Sequence, residues 1–120
     1  MNLADLFRHE IDDLVLLPAG EALFKTGEPG TLMYVLKEGT VEIRVRGTVV
    51  ETAEAGTLLG EMALIDSGPR SADVIAMSDC KLVPIDKRRF LFLVQQTPNF
   101  SIHVMHVMAD RLRKVDAPIK

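Results

Sequence analysis

One stretch of the chain combines residue types that neither a plain strand nor a plain turn requires: Gly60-Glu61-Met62-Ala63-Leu64-Ile65, then Ser67-Gly68-Pro69-Arg70-Ser71-Ala72. Arg70 presents a planar fork of donors that suits a phosphate or carboxylate, and Ser71 adds a hydroxyl beside it. Residues 61–65 are long enough for about one and a half turns of helix, whose start bares N–H groups that suit an anion. Gly60 lets the backbone turn sharply or approach a ligand closely. Ser67-Gly68-Pro69 reads as a turn that brings the chain back, so that Arg70 comes near that helix start. Glu61 does not fit an anion, but its carboxylate can accept a hydrogen bond from a hydroxyl next to one. Together Glu61 and Arg70 describe a ligand with a hydroxyl beside an anionic phosphate, the arrangement in a ribonucleotide. The competing reading is a structural Glu61–Arg70 ion pair with no ligand.

The elements that must position these residues are mostly short strands. Apolar runs at 14–17, 22–25 and 32–36 are stopped by Pro18-Ala19-Gly20, Gly27-Glu28-Pro29-Gly30 and Lys37-Glu38-Gly39. Over 41–45, Val41, Ile43 and Val45 alternate with Glu42 and Arg44, and Arg46 continues the polar set, so one face is buried and the other wet. Gly47-Thr48 allows a tight hairpin into Val49-Val50, and further strands are expected at 74–76 and 82–85. About eight short strands with turns near every tenth residue argue for an eight-stranded antiparallel jelly-roll β-barrel over about 11–86.

Helices flank this β unit. Leu3, Leu6 and Phe7 share one face of a short N-terminal helix. Asp86 can cap a helix through Phe90, Leu93 and Val94, and Thr97-Pro98 can start a final helix running to about Val115. The two C-terminal helices thus cover about 87–115. On a helical wheel Ile102, Met105, Met108, Ala109, Leu112 and their neighbours fill an apolar arc of roughly 220°, broken only by Arg111, where packing on one body needs about 100°. The surplus points to a second contact, a homodimer partner, an effector or a ligand lid. The bland alternative is a wide contact within the chain.

Gly60-Glu61-Met62-Ala63-Leu64 and Pro69-Arg70-Ser71-Ala72-Asp73-Val74 resemble the phosphate-binding cassette of the cyclic nucleotide-binding domain family. Gly20-Glu21, Gly27-Glu28, Tyr34, Gly39-Thr40-Val41 and Gly56 stand where that family has its turn glycines and buried aromatic, so the resemblance spans nearly all of residues 1–120 as one domain. The resemblance implies that Glu61 takes the ribose 2′-hydroxyl and Arg70 an exocyclic phosphate oxygen. Ser71 would contact phosphate or base, N–H groups near Met62, Ala63 and Ala72 would help hold the phosphate, and Gly60 would let the backbone come close to it. A serine after the arginine is similar to the cyclic AMP-binding branch of the family, whereas a threonine there goes with cyclic GMP in some relatives, so cyclic AMP is favoured. The implied role is a sensor or regulatory domain, not an enzyme, that passes its signal through the C-terminal helices to another chain. The hairpin over 45–52 is shorter than the family often has, and a base cap, as many relatives have, would start near Val115, Asp116 and Ala117. A ligand-free interaction domain with a degenerate site is therefore the alternative.

Composition narrows the remaining classes. The chain has 120 residues, 48% of them hydrophobic, with net charge −3 and no basic run longer than Lys87-Arg88-Arg89, which excludes a nucleic-acid face and disorder. Cys80 is the single cysteine, so neither an intrachain disulfide nor a thiolate metal cluster can form. It is expected to act as a small buried hydrophobe in a reducing compartment. No signal peptide or membrane span is expected, which places the chain in the cytoplasm. A metal enzyme on a cupin-like roll would need about three ligands inside the barrel. The histidines, His9, His103 and His106, all fall in expected helices, the last two on a polar face, so no metal or cofactor is expected beyond the nucleotide ligand.

Overall fold

The computed structural model describes residue 7, residues 13–65 and residues 68–116, with side chains described as far as residue 113. The expected N-terminal helix lies outside these residues except for Phe7, as do His9, Ser67 and the base-cap region beyond residue 116. Among the described residues are eight strands: β1 (Val15–Leu17), β2 (Ala22–Phe24), β3 (Met33–Glu38), β4 (Thr40–Val45), β5 (Thr48–Glu54), β6 (Leu58–Leu59), β7 (Asp73–Ala76) and β8 (Cys80–Ile85). Three helices accompany them, here α1 (Met62–Ile65), α2 (Lys87–Gln96) and α3 (Asn99–Asp116).

The strands form two four-stranded antiparallel sheets, in the orders β1-β8-β3-β6 and β2-β7-β4-β5. The expected jelly roll is thus a pair of facing sheets, not a cylinder closed by a continuous hydrogen-bond ladder. The first sheet is covered on both faces. In β3, Tyr34 and Leu36 belong to the core between the sheets, while Met33 and Val35 face a second core with Phe100 and Val104 of α3. A strand buried on both sides needs apolar residues at consecutive positions, which is why 33–36 reads as an unbroken run rather than an alternation. β4, in the second sheet, has one inner face: Val41 and Ile43 are buried, and Glu42 pairs with Arg44 on the other side.

The β4–β5 turn differs by one residue from the expected Gly47-Thr48. Val45 pairs with Thr48, so the two-residue loop is Arg46-Gly47, with φ of 54° and 79°. Two consecutive positive φ values match the twist of a tight hairpin better than ordinary turns do. Arg46 therefore leaves the outward-facing strand set to which the alternation assigned it.

The helices follow their signals closely. The Asp86 carboxylate accepts from Arg89 N–H at 2.8 Å and caps α2. At the start of α3 the Thr97 backbone carbonyl, not its hydroxyl, accepts from Phe100 N–H at 2.8 Å, and Pro98 precedes the first helical residue. Phe100 is fully buried and meets Phe90 edge-on, 5.8 Å between ring centroids, which docks α3 on α2 and the first sheet. The expected surplus of apolar surface is real: Ile102, Met105 and Leu112 are exposed by half or more.

Candidate functional site

A strand, a short helix and a turn place the cassette. β6 ends at Leu59, Gly60 turns the chain with φ of 74°, α1 makes a single turn, and residues 68–72 return it to β7. Gly60 is needed twice over, since an L residue is strained at that φ and a Cβ there would come within 2.5 Å of an Arg70 Nη. A cavity of about 270 Å³ opens beside this segment. Gly60, Glu61, Met62, Ala63, Arg70, Ser71 and Ala72, the residues singled out from sequence, all line it. Phe24, Ile43, Leu59 and Val74 supply its apolar wall, and Met108, Arg111 and Leu112 of α3 close it from the helical side.

Arg70 and Glu61 are the buried charged residues among those described, at 7% and 4% exposure. They are not paired with each other. Arg70 Nη2 donates to the Leu32 carbonyl at 2.9 Å, Nη1 reaches the Gly60 carbonyl only at 3.4 Å, and the guanidinium lies 4.1 Å from the centre of the Phe24 ring. Its Nε is buried without a hydrogen-bond partner. Burial holds the Arg70 pKa below its ordinary value, opposed by Tyr34 and Glu28. A buried guanidinium with a donor unspent beside a cavity is the state in which an anion would be welcome.

Glu61 instead meets Arg111. One Arg111 nitrogen, Nη1, donates to both Glu61 oxygens at 2.7 and 2.8 Å, and Nη2 donates to the Leu58 carbonyl at 2.7 Å. Nε and Nη2 reach the two oxygens of Glu51 at 3.1 and 3.4 Å. Burial alone would lower the Arg111 pKa, but Glu61 and Glu51 outweigh it and hold it above the ordinary value. A carboxylate offers roughly four lone-pair sites, so Glu61 can serve Arg111 and still accept from a ligand hydroxyl. The alternative pairing of Glu61 with Arg70 is thereby set aside: each has other partners.

Sequence reasoning missed Arg111, Glu51, Phe24 and the Leu32 carbonyl. The signal for Arg111 was its position, one cation interrupting an otherwise apolar arc. Ser71 lines the cavity but is largely exposed. The Ala63 N–H, expected to be bare at the helix start, already donates to the Gly60 carbonyl at 3.1 Å, and Leu64 N–H donates to Glu61 O at 3.2 Å. Cys80 is buried, and burial raises its pKa, which makes it an inert thiol. His103 is half-buried, with its pKa lowered by burial and by the nearby His106, while His106 is exposed. Among the described residues no three metal-ligating side chains cluster, and no helix is long and apolar enough to cross a membrane.

Comparison with known proteins gives a consistent picture. A family model described as the cyclic nucleotide-binding domain matches residues 14–97. The cyclic AMP receptor protein of Thermus thermophilus is 32% identical over 106 residues, which cover 84% of this chain and 49% of that protein. A cGMP-dependent protein kinase, isozyme 2, of Drosophila melanogaster is 30% identical over 83 residues, covering 69% of this chain and 8% of the kinase. The crystal structure of Thermus thermophilus catabolite activator protein superposes with a TM-score of 0.77 at 29% identity, over 89% of this chain and 53% of that one. The chain thus spans about half the length, or much less, of these relatives.

Proposed function

Since this chain belongs to the cyclic nucleotide-binding domain family, we propose that it is a regulatory domain that binds cyclic AMP in preference to cyclic GMP in the cavity beside residues 60–72. The observation that carries this reading is Arg70, a buried guanidinium whose Nε lacks a partner at the wall of a cavity lined by all seven cassette residues. The cyclic phosphate would take the unspent donors of Arg70, with the Ser71 hydroxyl beside it. Glu61 would accept the ribose 2′-hydroxyl while keeping Arg111. The base would lie against the apolar wall, with Met108 and Leu112 of α3 above it. Ser71, and similarity to a protein named for cyclic AMP, favour that nucleotide.

The output would leave through α3. Arg111 fastens that helix to Glu61 in the cassette, Glu51 in β5 and the Leu58 carbonyl in β6, so a ligand that shifts the cassette shifts the anchor of the helix. The exposed Ile102, Met105 and Leu112 are the face on which a second copy or an effector would register that shift. This is a binding and signalling role without catalysis, in a cytoplasmic, reducing setting that suits a single buried thiol.

Calorimetric titration with cyclic AMP, cyclic GMP and their 2′-deoxy forms tests the reading. Cyclic AMP should bind most tightly, the deoxy forms more weakly, and Arg70→Ala should weaken binding by roughly 2–5 kcal/mol, well over tenfold, through loss of a buried charge partner. A second reading, a ligand-free interaction domain, draws on the Arg111 bonds to both Glu61 oxygens. Absence of heat and of thermal shift with every nucleotide would select it.

A further inference from the structure

Gly27-Glu28-Pro29-Gly30 was read above only as a turn between β2 and β3, yet its backbone is hydrogen-bonded to the cassette. Gly27 N–H donates to the Arg70 carbonyl and Arg70 N–H to the Glu28 carbonyl, both at 2.8 Å. Thr26 adds two bonds to one oxygen of Asp73, from its N–H at 2.7 Å and its hydroxyl at 3.0 Å. This registers the 25–32 loop against residues 70–73 and carries Gly30 directly beneath the Arg70 side chain. A Cβ on Gly30 would stand 2.2 Å from Arg70 Nε, 2.3 Å from Cζ and 2.6 Å from Nη2. The guanidinium also neighbours the Phe24 ring, the Leu32 carbonyl and, at 3.4 Å, the Gly60 carbonyl.

Resting on the reading that Arg70 is the anion-binding group, we infer that Gly30 is the positioning residue for it: the missing side chain at position 30 is the slot that holds the guanidinium at the cavity wall. The glycine is not there for its backbone, because its φ lies outside the left-handed region, so alanine is conformationally acceptable. What alanine cannot do is share the space. The guanidinium is planar and rigid, so clearing a methyl group moves all three nitrogens together, off the Leu32 carbonyl and away from their place at the cavity wall. The loop between β2 and β3 is therefore part of the binding site without touching the ligand.

A double-mutant cycle on the whole chain tests this, using Gly30→Ala, Arg70→Ala and the double variant, with melting of ligand-free protein and calorimetric titration with cyclic AMP as readouts. Alanine at position 70 removes every atom beyond Cβ, Nε included; Arg70→Ser serves if that variant does not fold. Gly30→Ala alone should lower the melting temperature and weaken cyclic AMP binding by about tenfold or more, while in the Arg70→Ala background it should change neither measurably. An equal drop in melting temperature in both backgrounds would show that the loop rejects alanine for its own reasons, and the slot would be refuted. Unchanged affinity in Gly30→Ala would refute the positioning role even if stability fell. Should the wild-type protein bind no cyclic nucleotide, the functional reading fails, and the melting cycle still decides the slot.

Discussion

Replacing Arg111 with methionine removes one cation from between two carboxylates and makes a quantitative test of how α3 is held. In the native protein Glu61 is 4% exposed, and both of its oxygens accept from Arg111 at 2.7 and 2.8 Å. Without the guanidinium, Glu61 becomes a buried carboxylate without its Arg111 partner, Glu51 loses its contact with Arg111, and the Leu58 carbonyl loses its Arg111 donor. Breaking a buried pair from one side typically destabilises by about 3–5 kcal/mol. The Arg111 and Glu51 side chains retain 21% and 17% exposure, so water softens the loss, and the lower end, about 3 kcal/mol, is expected. For a domain of this size that is a melting-temperature drop of roughly 10 °C. Glu61→Gln supplies the diagnostic, because the amide leaves no uncompensated charge. Arg111→Met on top of Glu61→Gln should lose only about 1 kcal/mol, a coupling near 2 kcal/mol in the cycle. Urea denaturation of the four proteins gives these numbers. If Arg111→Met loses less than about 0.5 kcal/mol, or if the two changes simply add, then the triad is a surface-like contact and the proposed tether of α3 to the cassette falls.

Two further outcomes test the frame around the site. Phe100→Ala empties a fully buried position between α3, Phe90 and the first sheet, and should lower the stability measured by urea denaturation by about 3–5 kcal/mol. Asp73 accepts the Thr26 N–H first and the Thr26 hydroxyl second, and these bonds hold its pKa below the ordinary 3.8. The unfolded chain then binds the proton more readily than the folded one, so the contribution is present above that value and disappears as pH falls through the lowered pKa. Urea midpoints followed from about pH 5 down to about pH 2.5 should therefore fall less steeply in Asp73→Asn than in the wild type.

The fold was legible wherever a local rule decides it. Pro and Gly clusters punctuate the strands, Asp86 and Thr97-Pro98 announce the two C-terminal helices, and the alternation over β4 gives its inner face. Legibility failed where the outcome depends on a partner distant in sequence. β6 is two residues long and has no pattern of its own; it is a strand because Tyr34 and Val35 of β3 offer it a ladder. The hairpin turn lies one residue from its expected place because Arg46 tolerates a positive φ when Gly47 follows, and nothing in an alternating run of Val, Ile and charged residues marks where the run must stop.

The site divides along the same line. Arg70 and the Gly60 turn lie within one short segment, so their spacing alone conveys a candidate anion site. Glu61 was legible as an acid but not as an acid with a partner, because that partner lies fifty residues on, in α3. Viewed on the helix alone, Arg111 is a flaw in an apolar arc; viewed from the cavity, it is the reason the arc can approach a buried carboxylate at all. An apolar helix face set against Glu61 without a cation would leave a carboxylate that is 4% exposed facing low-dielectric surroundings, and charge burial of that kind outweighs the gain from covering a few methyl groups. Under the proposed function, a cassette shifted by its ligand would change the surroundings of this same residue. The charge that permits packing would then also be the charge that makes the packing responsive to a ligand, and the two roles could not be separated by substitution at position 111 alone.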